Sequence, residues 1–483
     1  MKRIALVVGL VLCVMAMAVA WVRWTAPSRR NVVLITIDTQ RADRISAYGY
    51  TEHQTPNLDR LAKEGVLFEN AFCDVTWTTP SMASVMTGRY ATVHGLRTSY
   101  QRLSPKATTL AETLHEQGRA TAAILGSFPL DSMFGLDQGF DLYDDRFSLP
   151  LLVMETPLPT PAPTGELGRM RQKLFDRAIN DAYRPDNEVS DRVIRWLREE
   201  RRDPFFLWAH YLGPHEKPQP GTDEAERKRR QLAQYDPDTV IADAQVGRVL
   251  DTLDELGLTE ETLVIVHADH GQSLTEHSYF GHGRYLYDPV QRIPMIMRLP
   301  GVIPAGARVT RMVRNIDIFP TVLAATGIPP TMPLDGIDLL PVVTGEDFGG
   351  PEEMYIETYL STLQLFVELV AGAKKIPLGF RRLGMRTADW KFVISDPYEI
   401  MDIDNPRPVT DEMRKQFYYE ELFDLRTDPG ENHDVIDENR ELAARFLERV
   451  WEFQQLAGPQ QSEERGLTEG QRERLRSLGY MLE

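Results

Sequence analysis

The stretch Asn31-Val-Val-Leu-Ile-Thr-Ile37, which runs directly into Asp38, decides the fold of this chain. Its unbroken apolar and β-branched character is typical of a parallel strand that is buried on both faces, because a strand with one solvated face alternates between apolar and polar residues. Shorter apolar runs follow at residues 65–71, 120–125, 204–209 and 262–267. Together these runs predict a buried, mostly parallel sheet.

Segments with the spacing of helices lie between the predicted strands. Residues 110–114 and 189–197 have helical spacing, and residues 241–256 outline an amphipathic helix that includes Ile241 and ends at Gly257. Alternating strands and helices predict an α/β fold with helices on both faces of the sheet. The composition changes near residues 345–350, and the strand-like runs that follow predict a smaller antiparallel α+β subdomain. These runs are residues 352–358, 383–386, 391–394 and 421–425.

The overall composition is that of a folded, acidic protein. The chain has 483 residues, of which 42% are hydrophobic, and its formal net charge is −17. Because an acidic surface repels nucleic acid, we expect no nucleic-acid partner. The basic run at residues 227–230 lies among acidic residues and is expected to be a solvated surface.

An apolar run at residues 4–22 follows Lys2 and Arg3 and is long enough to span a bilayer. We interpret residues 1–30 as a signal peptide or an N-terminal membrane anchor, and Ala18-Val-Ala20 resembles a cleavage site. The expected location is the cell envelope. The protein is either membrane-anchored with an external or periplasmic body, or secreted if the segment is cleaved. The sequence leaves the oligomeric state open.

Charged and polar residues stand where the predicted strands end. Asp38 follows the first strand, His210 follows residues 204–209, and Asp269 and His270 come just after residues 262–267. Ligands of open α/β sheets collect at the carboxyl ends of the strands, and adjacent Asp and His residues there suit a divalent cation. Asp38 alone could equally be a helix cap. The prediction of a metal site therefore depends on the whole group.

Pro80 is predicted to begin a helix, and Thr78 lies just before that start. This prediction depends on Pro80, because proline is favoured in the first turn of a helix. The free N–H groups and the positive end of such a helix attract a negatively charged oxygen. The alternative is that Thr78 and Thr79 only cap a buried helix. Thr78 is therefore a candidate nucleophile whose role depends on its neighbours.

These segments, in this order, resemble the sulfatase family of the alkaline-phosphatase-like superfamily from about residue 31 to the carboxyl end. The resemblance is carried by Ile35-Thr-Ile-Asp38-Thr-Gln-Arg41, Thr55-Pro-Asn-Leu-Asp59, Thr78-Thr-Pro-Ser81, His210-Tyr-Leu-Gly-Pro-His215, Ala268-Asp-His-Gly271 and Gly281-His-Gly-Arg284. It implies a catalytic domain at residues 31–345 with an inserted loop near residues 149–167, followed by a C-terminal subdomain at residues 346–483.

The sequence departs from the sulfatase pattern at the nucleophile. Sulfatases convert a cysteine or serine to formylglycine, whereas this chain has Thr78 at that position and Met82 at the position of a motif arginine. Leu125-Gly-Ser127 replaces the segment whose lysine and histidine bind sulfate, and Asp269-His270 replaces an Asp-Asn pair. This site resembles that of phosphoglycerol and phosphoethanolamine transferases and related phosphodiesterases.

That resemblance implies a divalent metal ion (manganese, zinc, magnesium or calcium) bound by Asp38, Thr78, Asp269 and His270. Thr78 would attack the ester, His210 and His215 would transfer protons, and Arg284 would offset negative charge. The residues expected to bind the substrate are Thr79, His282 and Arg97.

The expected function is hydrolysis or transfer of a phosphate monoester or diester through the Thr78 hydroxyl. One alternative is a sulfatase that works without formylglycine, and a second is a non-catalytic relic that binds an anion. The expected partner is an anionic ester, either a glycan, a lipid headgroup or a small molecule. Contact with a membrane would be made through the N-terminal segment.

Overall fold

The computed structural model describes residues 29–98, 101–146, 183–215, 224–345, 350–359, 379–398, 415, 418–456 and 462–464. The predicted signal or anchor lies almost entirely outside these residues, and so does the predicted insertion at residues 149–167. Across the described ranges, no helix combines the length and apolarity needed to cross a membrane.

The predicted runs correspond to strands whose ends differ from them by up to four residues, and several further strands were not predicted. They are β1 Asn31–Ile37, β2 Val66–Phe72, β3 Gln101–Leu103, β4 Ala120–Ile124, β5 Leu142–Asp144, β6 Phe205–Tyr211, β7 Thr262–His267, β8 Arg292–Ile293, β9 Met295–Arg298, β10 Ala307–Arg314, β11 Glu353–Tyr359, β12 Gly379–Thr387, β13 Trp390–Tyr398, β14 Tyr419–Asp424 and β15 Ser462–Glu464. β3 and β15 pair with each other as a separate ribbon.

The α-helices connect and cover these strands. They are α1 Pro56–Glu64, α2 Thr78–Thr87, α3 Ala91–His94, α4 Leu110–Glu116, α5 Asp186–Arg195, α6 Glu224–Glu255, α7 Asp288–Gln291, α8 Ile318–Thr326, α9 Leu340–Val343 and α10 Arg440–Gln455.

The large sheet has the strand order β10-β2-β9-β7-β1-β6-β4-β5, with β8 paired to β2. Among these described strands only β8 and β9 run against the others, so the prediction of a mostly parallel sheet is confirmed. β1 lies between β6 and β7, and Thr36 stands opposite both His210 and His267. The carboxyl ends of the three central strands therefore meet at one edge.

Alternate residues of β1 point to opposite faces of the sheet. Val32 and Leu34 belong to one buried apolar cluster, which includes residues of α2, whereas Val33 and Ile35 belong to another, which includes residues of α6. Both faces of the strand are thus covered, which is why its sequence is continuously apolar. The predicted helices on both faces of the sheet are confirmed.

Helix α6 is longer than its sequence pattern predicts. It begins at Glu224 and contains Pro237, so the basic run 227–230 lies on its first turns. Proline normally ends a helical pattern because it lacks an N–H group and clashes with the preceding turn, which hid the first half of this helix. Ile241, expected on the apolar face, is 49% exposed, whereas Val249 and Leu253 are buried.

The smaller unit predicted at the C-terminal end contains an antiparallel sheet with the order β11-β12-β13-β14. Its apolar side chains form one cluster with α10, through residues such as Phe446 and Val450. The predicted antiparallel α+β architecture is therefore confirmed. The domain boundary between residues 345 and 346 stays a prediction.

A buried ion-pair cluster joins this sheet to the segment that follows Arg284. Lys391 on β13 is completely buried, and its Nζ lies 2.5 Å from both Asp288 Oδ1 and Glu431 Oε1 while donating to the carbonyl of Leu286 at 2.9 Å. Arg386 also pairs with Asp288, at 2.6 Å. The antiparallel sheet is therefore connected to this segment by ion pairs around a fully buried lysine.

Replacing Lys391 with methionine should lower the free energy of unfolding by about 3–5 kcal/mol, because removing one partner of a buried ion pair leaves the other uncompensated. Urea unfolding followed by circular dichroism measures the loss. The matched control is Arg426→Gln, which breaks the solvent-exposed pair with Asp424 and should not shift the urea midpoint resolvably. Equal shifts in the two variants would contradict this account of the junction.

Candidate active site

Three predicted metal ligands lie together at the carboxyl ends of β1 and β7. Asp38, Asp269 and His270 are all fully buried, and one potential ligand atom from each lies within 4.8 Å of the others. The backbone N–H of Asp38 donates to the carbonyl of Tyr211 at 3.0 Å, which fixes Asp38 against the end of β6. Sheet register, rather than a flexible loop, sets the positions of these ligands.

Backbone hydrogen bonds orient Asp269 and His270. Asp269 Oδ1 accepts from the backbone N–H of His270 at 2.8 Å and from that of Thr39 at 3.1 Å. His270 Nδ1 lies 2.9 Å from the carbonyl of Gly271, so Nδ1 carries the proton and donates to it. The unprotonated Nε2 of His270 and the Oδ2 of Asp269 therefore remain as potential ligand atoms.

Thr78 is the first residue of α2, two residues earlier than Pro80 suggested. Trp77 before it is extended, with φ −131° and ψ 140°, and Pro80 falls in the first turn of the helix. The Thr78 Oγ1 atom lies 3.2 Å from His270 Nε2. The structure thus brings together all four residues predicted to bind a metal: Asp38, Thr78, Asp269 and His270.

The two carboxylates have unequal proton affinities. Burial, and then the charge of Asp269, raise the pKa of Asp38 well above its usual range. Burial also opposes ionisation of Asp269, but His270, His210 and hydrogen bonds from Thr78 and the His270 amide outweigh it and lower its pKa. Two adjacent carboxylates cannot both ionise without a compensating charge.

The donor set fits a divalent cation. Both oxygens of Asp38 and the Oδ2 of Asp269 are buried without a hydrogen-bond partner of normal geometry among the described residues. An uncompensated buried carboxylate costs on the order of several kcal/mol. Two carboxylates, an imidazole nitrogen and a hydroxyl oxygen are ligands of manganese, zinc and magnesium.

His210 is placed beside the predicted ligands. Its Nε2 lies 3.8 Å from Asp38 Oδ2, and neither ring nitrogen has a hydrogen-bond partner of normal geometry in the described part of the chain. Burial lowers the pKa of His210 to about 4. His210 is therefore neutral at neutral pH, which suits a proton acceptor better than a proton donor.

His215 and His282 form a pair beside His270. Their Nε2 atoms are 3.2 Å apart, so one nitrogen donates to the other. The centres of the His282 and His270 rings are 4.5 Å apart. The rings of Trp77 and His282 pack in a T-shaped arrangement with their centres 5.1 Å apart. Gly283, with φ +77°, holds this loop close, since a Cβ there would lie 2.0 Å from the Trp77 ring.

Three other predicted site residues have contacts outside this cluster. The Thr79 hydroxyl donates to the carbonyl of Pro129 at 2.7 Å, which ties α2 to the segment after β4. Arg97 pairs with Glu357 at 3.4 Å, at the edge of the antiparallel sheet. The Arg284 guanidinium lies 5.9 Å from the centre of the Tyr279 ring. Their roles toward the substrate stay predictions.

Sequence reasoning missed a buried network behind α2. The Asp74 carboxylate accepts from Ser84 at 2.7 Å and from Asn315 at 2.9 Å, and Asn315 also contacts Ser81, whose hydroxyl donates to the carbonyl of Asp269 at 2.7 Å. Burial raises the pKa of Asp74 to about 6. No short motif marks this network, because Asn315 and Asp269 are distant in sequence from the other members.

The turn after Asp38 was also missed. Thr39 has φ +56°, a left-handed conformation that is rare for a β-branched residue and costs on the order of 1–3 kcal/mol. This turn directs the Thr39 N–H toward Asp269 Oδ1. The strained residue therefore follows Asp38 in the chain and is hydrogen-bonded to Asp269.

A family model described as Sulfatase matches residues 30–328, which covers the central sheet and all four clustered residues. The chain belongs to the sulfatase family. N-acetylglucosamine-6-O-sulfatase of Bacteroides thetaiotaomicron is a relative with 24% identity, covering 89% of this chain and 85% of that protein. The resemblance inferred from the sequence is confirmed, and so is the expectation of an ester-hydrolysing enzyme.

Solved structures share the fold. Phosphonate monoester hydrolase of Agrobacterium radiobacter aligns with a TM-score of 0.65 at 20% identity, covering 91% of this chain and 100% of that chain. A protein solved with its substrate D-glucosamine-2-N,6-O-disulfate aligns with a TM-score of 0.64 at 21% identity, covering 89% and 98%. The predicted alkaline-phosphatase-like fold is confirmed. The comparisons favour a sulfatase over a phosphate transferase, so the transferase part of the prediction loses support.

Adding Mn²⁺ should raise the thermal midpoint, because an ion that binds only the folded state stabilises it by about 2.7 kcal/mol at 100 times its dissociation constant. Asp38→Asn should abolish most of this shift while leaving the metal-free protein no less stable, since it removes the repulsion with Asp269. Differential scanning calorimetry with and without chelator tests both points. A full Mn²⁺ shift in Asp38→Asn would argue against the site.

Proposed function

We propose that this sulfatase-family chain hydrolyses an anionic phosphate or phosphonate ester, with Thr78 as the nucleophile. The observation that carries the proposal is the position of Thr78 Oγ1, at the start of α2 and 3.2 Å from His270 Nε2 within the acidic cluster. A threonine cannot become formylglycine. The attacking group would therefore be the hydroxyl itself.

The cluster would hold a divalent cation through Asp38, Asp269, His270 and the Thr78 oxygen. When bound, such a cation would neutralise the two carboxylates and lower the pKa of the Thr78 hydroxyl. Its identity among manganese, zinc, magnesium and calcium is left to experiment.

The start of α2 would stabilise the charged oxygens of the ester. Pro80 has no N–H group, and the N–H of Ser81 already donates to the carbonyl of Trp77 at 3.0 Å. Thr78 and Thr79 lie at this end of the helix, where the helix dipole favours negative charge.

Thr78 Oγ1 would pass its proton to neutral His210 and form a bond to phosphorus as the bond to the leaving alcohol breaks, which gives a phosphothreonine. His215, paired with His282 through a shared proton, would supply a proton to the leaving oxygen. Water would then attack the phosphothreonine and give a proton to His215, while His210 returns its proton to the Thr78 oxygen as the bond from phosphorus to that oxygen breaks. Arg284, on the loop of His282, would offset charge on the transferred group.

The segment after β4 supports phosphorus over sulfur. Leu125-Gly-Ser127 stands in place of the lysine and histidine that bind sulfate in the resembled sulfatases. Gly126 lies against β6, since a Cβ there would lie 2.7 Å from the carbonyl of His210. Ser127 is buried, so the chain has a hydroxyl rather than a cation at this position.

A second candidate is hydrolysis of a sulfate ester by the same threonine. The relative N-acetylglucosamine-6-O-sulfatase favours this candidate, since the similarity covers 89% of this chain. The substrate of one structural neighbour, a sulfated glucosamine, makes an anionic glycan the first choice for the organic portion of either ester. We also propose a cell-envelope location, supported by the apolar run at residues 4–22.

Thr78→Ala should lower kcat by more than about 1,000-fold, because it removes the attacking atom. Mn²⁺ binding and fold should be largely kept, since Asp38, Asp269 and His270 remain. Thr78→Ser is the matched control, and it should retain measurable turnover because it keeps a hydroxyl at the same position. Activity of Thr78→Ala close to that of the unmodified chain would exclude this nucleophile.

A nitrophenyl phosphodiester and a nitrophenyl phosphonate monoester should be turned over in the presence of Mn²⁺, whereas the matching nitrophenyl sulfate should not. Steady-state release of nitrophenol measures all three, with Thr78→Ala as the blank. Turnover of the sulfate alone, lost in Thr78→Ala, would establish the second candidate and refute the first.

A further inference from the structure

The strained turn after Asp38 is held by a tyrosine from helix α6. The hydroxyl of Tyr235 donates to the carbonyl of Thr39 at 2.6 Å and accepts from the backbone N–H of Arg41 at 2.9 Å. Tyr235 is 1% exposed. One side-chain atom therefore satisfies two backbone groups that are buried with it and bridges both ends of the turn.

The same turn orients a predicted metal ligand. The N–H of Thr39 donates to Asp269 Oδ1, the oxygen that also accepts from the His270 amide. Both donors therefore engage one oxygen and leave Asp269 Oδ2, which lies 3.5 Å from His270 Nε2, as the potential ligand atom. If the Thr39 peptide rotated out of its left-handed conformation, Asp269 would lose one of these two bonds.

Arg41 fixes the other end of the turn. Its guanidinium pairs with Glu276 at 2.7 Å and donates to the carbonyl of Gln272 at 3.1 Å. Both partners lie on the segment that follows His270. Tyr235 and Arg41 therefore hold the turn against two different elements, the long helix and the loop that carries the ligands.

We propose that Tyr235 is a positioning residue that holds the Thr39 turn, and through it Asp38 and Asp269, in the geometry that binds a divalent cation. The inference rests on the proposed function in that it takes these carboxylates as metal ligands. Tyr235 does not touch the substrate. It acts through the backbone of residues 39–41.

The test is the affinity of the full chain for Mn²⁺, measured by isothermal titration calorimetry after removal of metal. Tyr235→Phe keeps the ring and deletes the hydroxyl, and it should weaken Mn²⁺ binding by about 10- to 100-fold, the usual effect of losing a residue that orients metal ligands. At saturating Mn²⁺ its kcat should return close to that of the unmodified chain.

The matched control is Tyr48→Phe. Tyr48 is another phenol that bridges backbone groups, accepting from the N–H of Met295 at 2.8 Å and donating to the carbonyl of Phe68 at 3.1 Å. Its loss should lower stability without changing Mn²⁺ affinity. Equal Mn²⁺ affinities for Tyr235→Phe, Tyr48→Phe and the unmodified chain would overturn the inference.

A second pair of variants tests the route through Thr39. Glycine adopts φ +56° without strain, so Tyr235→Phe should weaken Mn²⁺ binding less in a Thr39→Gly background than in the unmodified chain. Comparing Thr39→Gly with and without Tyr235→Phe also tests the inference if Tyr235→Phe alone does not fold. Identical losses in both backgrounds would refute the route through the turn. If Tyr235→Phe alone is unfolded, a loss of about 10- to 100-fold in the glycine pair would refute it.

Failure of this inference is distinguishable from failure of the proposed function. Mn²⁺ binding without turnover of any ester by the unmodified chain would count against the proposed function only. Unchanged Mn²⁺ binding in Tyr235→Phe would count against the role of Tyr235 only.

Discussion

The site depends on the repulsion between two carboxylates that parallel strands force together. Asp38 and Asp269 follow β1 and β7, which are neighbours in the sheet, so hydrogen-bond register rather than side-chain choice brings the acids together. Without a compensating charge this arrangement is unfavourable, and burial together with the charge of Asp269 raises the pKa of Asp38. A divalent cation removes the repulsion. Cation binding would therefore depend on the same closeness of the two carboxylates that is unfavourable without a cation.

The surrounding fold keeps this arrangement rigid. β1 is buried on both faces, with α2 packed on one side and α6 on the other, so each helix can deliver one group to the strand ends. Helix α2 delivers Thr78 together with the positive end of its dipole. Helix α6 delivers Tyr235, which holds the turn after Asp38. The proposed nucleophile and the support of the proposed metal ligands therefore come from opposite faces of the same sheet.

Continuous apolar runs, a proline and polar strand ends were sufficient to predict most of the fold and the core of the site. The central strands and the group Asp38, Thr78, Asp269 and His270 follow from local signals, because strand ends and helix starts are short-range features. The first half of α6 was hidden by Pro237, whose cost is offset by tertiary contacts. Arg97 pairs with Glu357, a partner more than 250 residues away that no local pattern identifies.

The sequence by itself determined the sheet, the family and the chemical types gathered at the strand ends, because each depends on the order and character of neighbouring residues. Only the tertiary structure decided which of these groups meet. It gave His210 a neutral state through burial, joined His215 to His282, and placed a tyrosine from α6 on the turn after Asp38. These features arise from packing between segments far apart in the chain. Their energies depend on exclusion of water, which no local sequence pattern encodes.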